Sequence, residues 1–322
     1  MEYERGGNQK TIYLESEVER VTCPLCASSY SKELYKERGV LCIVRCFDCG
    51  LLYVNPRLKK PEEVYWGNVN AYLKEARLVL EGKATHYRDP NYLADLRLIY
   101  RYKPSGNFLD VGTNMGFFLR NAKRWPWSLY GVDPSSSLSE VARNYFGLNV
   151  KTAFLENAGF ESSFFDVVAM TDVFEHIGEP GNVLIEVRRI LKAEGILFIK
   201  VPNGSFNLLK FRLAKLTGRL KNYDLFDSYE HVVHYTHKTL CRMLAKYGFT
   251  VKKVSIGRPI QIPAWHKYVG QYYQYPSPWC LDWKRYSARF AFYLLSLLEL
   301  RLRLGRVGYL APNIIAIAKK VR

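Results

Sequence analysis

The sequence predicts an α/β fold in which a sheet of seven strands, parallel where strands alternate with helices, carries helices on both faces. Between residues 108 and 256, short apolar runs alternate with segments of helical periodicity, a pattern typical of such sheets. The residues at 110–116, DVGTNMG, join the first strand to a helix through a turn of small residues. A run rich in Ile and Ala at 313–319 supplies the last strand.

Each element is predicted from its own pattern of apolar residues and breakers. Strands are expected at 108–112, 128–133, 149–154, 164–170, 196–201, 250–256 and 313–319. Helices are expected at 117–125, 137–146, 182–191, 205–220, 239–247 and 286–304.

The turn after the first strand has the features of a nucleotide-binding site. Backbone N–H groups and a helix N-terminus converge there, which favours a nucleotide-like ligand. Asp133 ends the next strand, about twenty residues after the turn. A carboxylate at that place can accept hydrogen bonds from both hydroxyls of a ribose. The two segments together predict an adenosine site.

Four cysteines near the N-terminus have the spacing of a metal site. They follow the pattern C-x2-C-x19-C-x2-C and are Cys23, Cys26, Cys46 and Cys49. Each C-x-x-C turn presents two sulfurs, so the four predict a tetrahedral zinc site. Because all four ligands are thiolates, no position is left for water, and the zinc is expected to be structural. Buried, unconnected cysteines are the alternative.

Charge and hydropathy narrow the class of protein. The first twenty residues lack the apolar segment of a signal peptide, and no uncharged apolar run reaches the ~18 residues that span a bilayer. We therefore expect a cytoplasmic protein. The net charge of +17 is concentrated in residues 204–322, with 21 basic and 5 acidic side chains. Such a surface attracts phosphates, nucleic acid or an anionic membrane leaflet.

The chain is expected to have three parts. A zinc ribbon occupies residues 1–58, a helical connection that covers the ligand crevice occupies 59–104, and the α/β domain occupies 105–322. The last part contains a basic, aromatic insertion at about 257–310.

The ordered motifs resemble those of class I S-adenosylmethionine-dependent methyltransferases. They are DVGTNMG at 110–116, GVD at 131–133, FDVV at 165–168, DVFEHI at 172–177, LK at 191–192 and YGF at 247–249. The ribbon ending in CGLLYVNP at 49–56 is similar to a subgroup associated with cell-surface glycans or sugar-bearing metabolites. The resemblance implies a Rossmann-like sheet and S-adenosylmethionine as the methyl donor.

The resemblance also implies which residues hold the donor. Asp110, Gly112 and Gly116 are assigned to its methionine end and Asp133 to its ribose. Asn114 replaces the usual middle glycine, and asparagine tolerates the left-handed backbone that such a turn needs. Further contacts are expected from Phe154 and Leu155, which would sandwich the adenine or else belong to the core, and from Asp172 at the end of the fourth strand.

Catalytic groups are expected after the fourth and fifth strands. His231 is the first candidate for the base that takes the acceptor's proton, and Glu230 would orient it. This pair resembles the acid and base of sugar C-methyltransferases, although their tyrosine two residues earlier is Ser228 here. His176 is a second candidate base or packs beneath the donor. His234 and Tyr235 are candidate substrate contacts, and a capping and packing role for the whole segment is the alternative.

Two basic helices in the last third suit a membrane surface. The helices at 205–220 and 286–304 combine apolar residues with Lys and Arg, a composition that favours either core packing or contact with anionic lipid. We therefore expect methyl transfer to a sugar or a lipid-linked saccharide, at the inner membrane face or in the cytoplasm. The alternatives are an RNA methyltransferase, which the sequence favours less, and a non-catalytic ribbon module.

Overall fold

The computed structural model describes residues 11–60, 73, 77, 79–81, 83, 85–218, 224–259 and 283–321. Its strands are β1 Val18–Glu19, β2 Ser31–Glu37, β3 Leu41–Cys46, β4 Leu52–Val54, β5 Arg57–Leu58, β6 Gly106–Val111, β7 Trp127–Asp133, β8 Val150–Thr152, β9 Phe165–Thr171, β10 Leu191–Pro202, β11 Val233–His234, β12 Phe249–Ser255 and β13 Asn313–Lys320. Its α-helices are α1 Asp89–Tyr100, α2 Phe117–Ala122, α3 Ser136–Phe146, α4 Pro180–Ile190, α5 Gly204–Leu216, α6 His237–Lys246 and α7 Trp283–Leu302.

Seven strands form the central sheet, in the order β8-β7-β6-β9-β10-β13-β12. The prediction of a seven-stranded, Rossmann-like sheet with helices on both faces is confirmed, and one of the seven strands makes the sheet mixed. β13 runs antiparallel to both β10 and β12. The chain enters β13 beside the end of β10, where Pro202 pairs with Asn313, so it has to run back along its neighbour. Apolar patterning carries no information about strand direction.

Apolar helix faces cover both sides of the sheet. Helices α1, α2 and α3 pack on one face through residues such as Leu96, Leu119 and Leu138. Helices α4 and α6 pack on the other, through residues such as Leu184 and Leu240. Burying each of these side chains contributes about 1.5–3 kcal/mol. The carboxyl ends of β6, β7 and β9 are thereby held at one edge, where open α/β sheets bind ligands.

The N-terminal ribbon takes its last strand from a distant part of the chain. Its sheet has the order β2-β3-β4-β11, and Val233 of β11 pairs with Tyr53 of β4. The segment predicted to carry catalytic residues is therefore partly a ribbon strand. The division into three parts at residues 58 and 104 stays a prediction.

Glu37 fixes that segment to the ribbon. Its buried carboxylate accepts hydrogen bonds from the backbone N–H groups of Leu225, Phe226 and Ser228, at 2.8 to 3.0 Å. Beside it, the Arg38 guanidinium lies 3.7 Å from the centre of the Tyr229 ring. The ribbon thus sets the course of the chain through residues 224–235.

The last predicted helix is confirmed as α7, and its outer side is apolar. Tyr293 and Leu300 pack against the core, whereas other large apolar side chains of the helix are solvent-exposed. These are Phe290, Phe292, Leu294, Leu295, Leu297, Leu298 and Leu302. None of the described helices is both long and apolar enough to cross a membrane. The aromatic residues predicted at 265–282 and the helix start at Pro61 lie outside the described residues.

Replacing Glu37 by alanine should lower the free energy of unfolding by about 3 kcal/mol, because three backbone donors, two of them in buried residues, lose a charged acceptor. Urea denaturation measures the change. Glu33→Ala on the exposed side of β2 is the control and should stay within about 0.5 kcal/mol of wild type. An equal loss in both variants would contradict the anchoring role of Glu37.

Candidate active site

The turn after β6 requires left-handed backbone at three positions. Gly112, Asn114 and Gly116 have φ values of 72°, 53° and 85°. A Cβ atom on Gly112 would collide with Val173, and one on Gly116 with Leu148. Asn114 therefore occupies a conformation that asparagine tolerates, in agreement with the sequence prediction. The Asn114 side chain also accepts a hydrogen bond from the N–H of Met115 at 2.6 Å.

Asp133 holds this turn in place. Its carboxylate accepts hydrogen bonds from the backbone N–H groups of Asn114, at 2.7 Å, and Ser135, at 2.9 Å. The side chain is buried and does not line the adjoining cavity. In the structure, the Asp133 carboxylate stabilises the loop through these two hydrogen bonds. Its contact with a ribose stays a prediction.

The Asp110 carboxylate, unlike that of Asp133, lies at the cavity wall. It is buried at the end of β6 and lines the cavity. Burial, with the nearby negative charge of Asp133, raises the pKa of Asp110 well above its usual range. None of the described residues forms an ion pair with it, so a cationic ligand would stabilise its charged form.

A cavity of about 410 Å³ lies at the carboxyl ends of β6, β9 and β10. This volume is within the range of small-molecule sites. It brings together these residues predicted from the sequence: Asp110, Gly112, Asn114, Asp172, His176, Glu230 and His231. It also contains polar or aromatic residues that sequence analysis missed: His86, Tyr87, Arg88, Asn91, Tyr92, Lys200 and Arg258.

Two of the missed residues, which line this cavity, form ion pairs. Arg88 donates to Asp172 at 2.8 Å, and Lys200 donates to Asp95 at 2.7 Å, with both partners of the second pair buried. Burial raises the pKa of Asp95, an effect that the Lys200 ammonium opposes. A lysine inside the apolar run of β10 was the sequence signal for this pair.

Several predicted contacts lie away from the cavity wall. Phe154 is 51% exposed, whereas Leu155 is buried in the core beneath the sheet. Gly116 is at the start of α2, outside the lining. Of the two predicted substrate contacts, Tyr235 is buried against Phe174, with ring centres 5.0 Å apart. His234 is buried beside Phe226.

Three titratable side chains converge at one part of the cavity wall. The ligand atoms of Glu175, His176 and His231 lie within 4.8 Å of one another. His176 Nδ1 contacts the backbone carbonyl oxygen of Glu230 at 2.9 Å. Burial lowers the pKa of His176 to about 3 and that of His231 to about 4. Both imidazoles are therefore neutral at pH 7 and weakly basic, and the role of His231 as general base stays a prediction.

The four predicted cysteine ligands also form a cluster. Cys23, Cys26, Cys46 and Cys49 have their sulfur atoms within 4.8 Å of one another. Cys23 and Cys49 are 3.4 Å apart, and Cys26 and Cys46 are 3.5 Å apart. The backbone N–H of Leu51 points to the Cys49 sulfur at 3.5 Å. This donor set suits a soft cation with tetrahedral geometry.

Comparison with known proteins identifies the type of domain. A family model described as a methyltransferase domain matches residues 85–254. The chain is 21% identical over 188 residues to the ubiquinone biosynthesis O-methyltransferase of Histophilus somni, covering 52% of this chain and 79% of that protein. It is 26% identical over 160 residues to an uncharacterized protein of Methanocaldococcus jannaschii, covering 49% and 71%.

One of the similar solved structures is a S-adenosylmethionine-dependent methyltransferase from Thermotoga maritima, described as a possible histamine N-methyltransferase. It is 20% identical, with a TM-score of 0.48, and the match covers 80% of this chain and 99% of that one. The family model spans more than half of the 322 residues and includes the turn and β7 of the site described above. The chain therefore belongs to the methyltransferase-domain family and is a S-adenosylmethionine-dependent methyltransferase.

Proposed function

We propose that the chain transfers a methyl group from S-adenosylmethionine to a sugar hydroxyl, carried by a lipid-linked saccharide at an anionic membrane surface. The observation that supports a lipid-linked acceptor is the exposed apolar side of α7. The relatives named ubiquinone biosynthesis O-methyltransferases favour oxygen as the acceptor atom.

The donor fits the charges of the cavity. S-adenosylmethionine carries a sulfonium and an ammonium, and the buried Asp110 carboxylate is the natural partner of the ammonium at its methionine end. The turn at Gly112 and Asn114 would lie against the donor, and Asp133 would receive the ribose hydroxyls with the lone pairs that its backbone contacts leave free.

The acceptor would enter between Asp172 and the segment 229–231. Methyl transfer from a sulfonium needs an in-line approach, with the acceptor oxygen about 3 Å from the methyl carbon. The side chains on this wall are carboxylates, imidazoles and the Tyr229 phenol, all of which can hydrogen-bond to a polyhydroxylated acceptor. The ribbon positions this wall through Glu37, and a zinc ion bound by the four cysteines would keep the ribbon folded.

Helix α7 supports the membrane part of the proposal. Its exposed apolar residues are accompanied by the exposed basic side chains of Lys284, Arg289, Arg301 and Arg303. Apolar side chains can enter the boundary between headgroups and acyl chains, and each basic residue near an anionic surface adds about 1 kcal/mol. A second copy of this chain fits less well, because its net charge of +17 would repel the same basic helix.

Asp110→Asn should weaken S-adenosylmethionine binding by roughly 10- to 100-fold, because it removes a charge-assisted hydrogen bond to the ammonium. Isothermal titration calorimetry measures the affinity, and Glu140→Gln on the exposed side of α3 is the control. Binding at wild-type affinity by Asp110→Asn would contradict the proposed contact.

The affinity of the wild type should also depend on pH. The pKa of Asp110 is raised in the free protein, and the cationic donor needs the ionised carboxylate. Affinity should therefore fall as the pH drops through that raised pKa, at a higher pH than an ordinary aspartate would require. Calorimetry on Asp110→Asn should show a weaker dependence over the same range.

The wild type should float with vesicles that contain phosphatidylglycerol at low salt. Leu294→Glu combined with Leu298→Glu should reduce this binding more than tenfold, because two carboxylates face the anionic surface. Ile185→Glu, at an exposed apolar residue of α4, is the matched control and should float like wild type. A wild-type protein that stays at the bottom would overturn the membrane proposal.

Labelled methyl groups from S-adenosylmethionine should appear in the lipid-linked saccharide fraction when the protein is incubated with separated lipid, glycan and RNA fractions. Heat-treated protein is the control. Label in RNA alone would replace this proposal by RNA methylation, which the basic charge of residues 204–322 would also serve.

A further inference from the structure

Glu175, His176 and His231 form a second cluster of potential metal ligands, far in sequence from the cysteines. All three residues line the cavity, and one ligand atom of each lies within 4.8 Å of the others. Glu175 and His176 belong to the short 3-10 helix after β9, and His231 precedes β11. The cluster is therefore assembled by the contact between the central sheet and the ribbon.

A backbone contact orients one of the two histidines. His176 Nδ1 donates a hydrogen bond to the carbonyl oxygen of Glu230 at 2.9 Å. Metal-bound histidines are oriented in this way, with the nitrogen that is not a ligand bonded to a backbone carbonyl or a carboxylate.

The buried carboxylate of Glu175 is a second observation that favours a cation in this cluster. Its side chain is 2% exposed, and neither carboxylate oxygen has a hydrogen-bond partner among the residues that the structure describes. Buried carboxylates without donors are costly and rare in folded proteins. A cation between Glu175 and the two imidazoles would satisfy the carboxylate oxygens.

We propose that Glu175, His176 and His231 bind a divalent first-row transition-metal cation that is open to the cavity. Two imidazoles and one carboxylate are ligands typical of catalytic Zn²⁺ and of non-haem Fe²⁺, with positions left for a substrate oxygen. Mg²⁺ and Ca²⁺ fit less well because they prefer oxygen ligands throughout. The ion would be distinct from the one that the four thiolates hold.

The use of this ion rests on the proposed function. An acceptor hydroxyl bound to the cation loses its proton to solvent more readily. Its oxygen then forms the bond to the methyl carbon, while the C–S electron pair stays on sulfur as S-adenosylhomocysteine leaves. The cation would thereby activate the acceptor hydroxyl.

Co²⁺ titration of the full-length wild-type protein, after removal of metals under reducing conditions, tests the proposal. We expect two ions per chain, one with the intense charge-transfer absorption of thiolate ligands and one without it. Glu175→Gln and His231→Gln should each bind one ion, with the thiolate spectrum unchanged. His237→Gln, at a histidine outside the cavity, is the matched control and should bind two.

One ion per chain in the wild type, or two ions with thiolate spectra, would overturn the site. So would two ions in both Glu175→Gln and His231→Gln. If both variants fail to fold, as judged by circular dichroism, the wild-type spectrum alone decides. The readout is independent of methyl transfer: two ions of the expected kinds with label only in RNA would reject the saccharide acceptor and keep the metal site.

Discussion

The balance of buried charge at one edge of the central sheet is the constraint on which the site depends. Parallel strands bring the carboxylates of Asp110 and Asp172 to the same cavity as Glu175. Arg88 pairs with Asp172, but neither Asp110 nor Glu175 has an ion-pair partner among the described residues. An uncompensated buried charge costs several kcal/mol, so the cavity is suited to cationic ligands. In the proposed function, the ammonium of the donor would pair with the Asp110 carboxylate.

The ribbon contributes to the active site through backbone geometry. The Glu37 carboxylate accepts hydrogen bonds from three backbone N–H groups of the loop before Tyr229. Strand β11, which begins two residues after His231, completes the ribbon sheet. The segment 229–231 is therefore held between the central sheet and the ribbon sheet. Residues of the ribbon and of the central sheet share one apolar core.

Local signals predicted the turn that follows β6, and tertiary contacts decided the rest of the cavity. The turn at Gly112 and Asn114 is encoded by residues that tolerate φ > 0, so the sequence was enough to locate it. Arg88 and Lys200 meet their partners across 84 and 105 residues, separations that no local pattern reports. The depressed pKa of His231 likewise comes from burial in the folded chain.

A crystal structure with S-adenosylhomocysteine tests the central claim most directly, because the amino end, ribose and sulfur of this product mark three parts of the cavity at once. We predict that its amino group lies within hydrogen-bond distance of the Asp110 carboxylate and its ribose near Asp133, with the sulfur facing Asp172 and His231. A ligand bound outside this cavity, or bound in it with its amino group away from Asp110, would contradict the account.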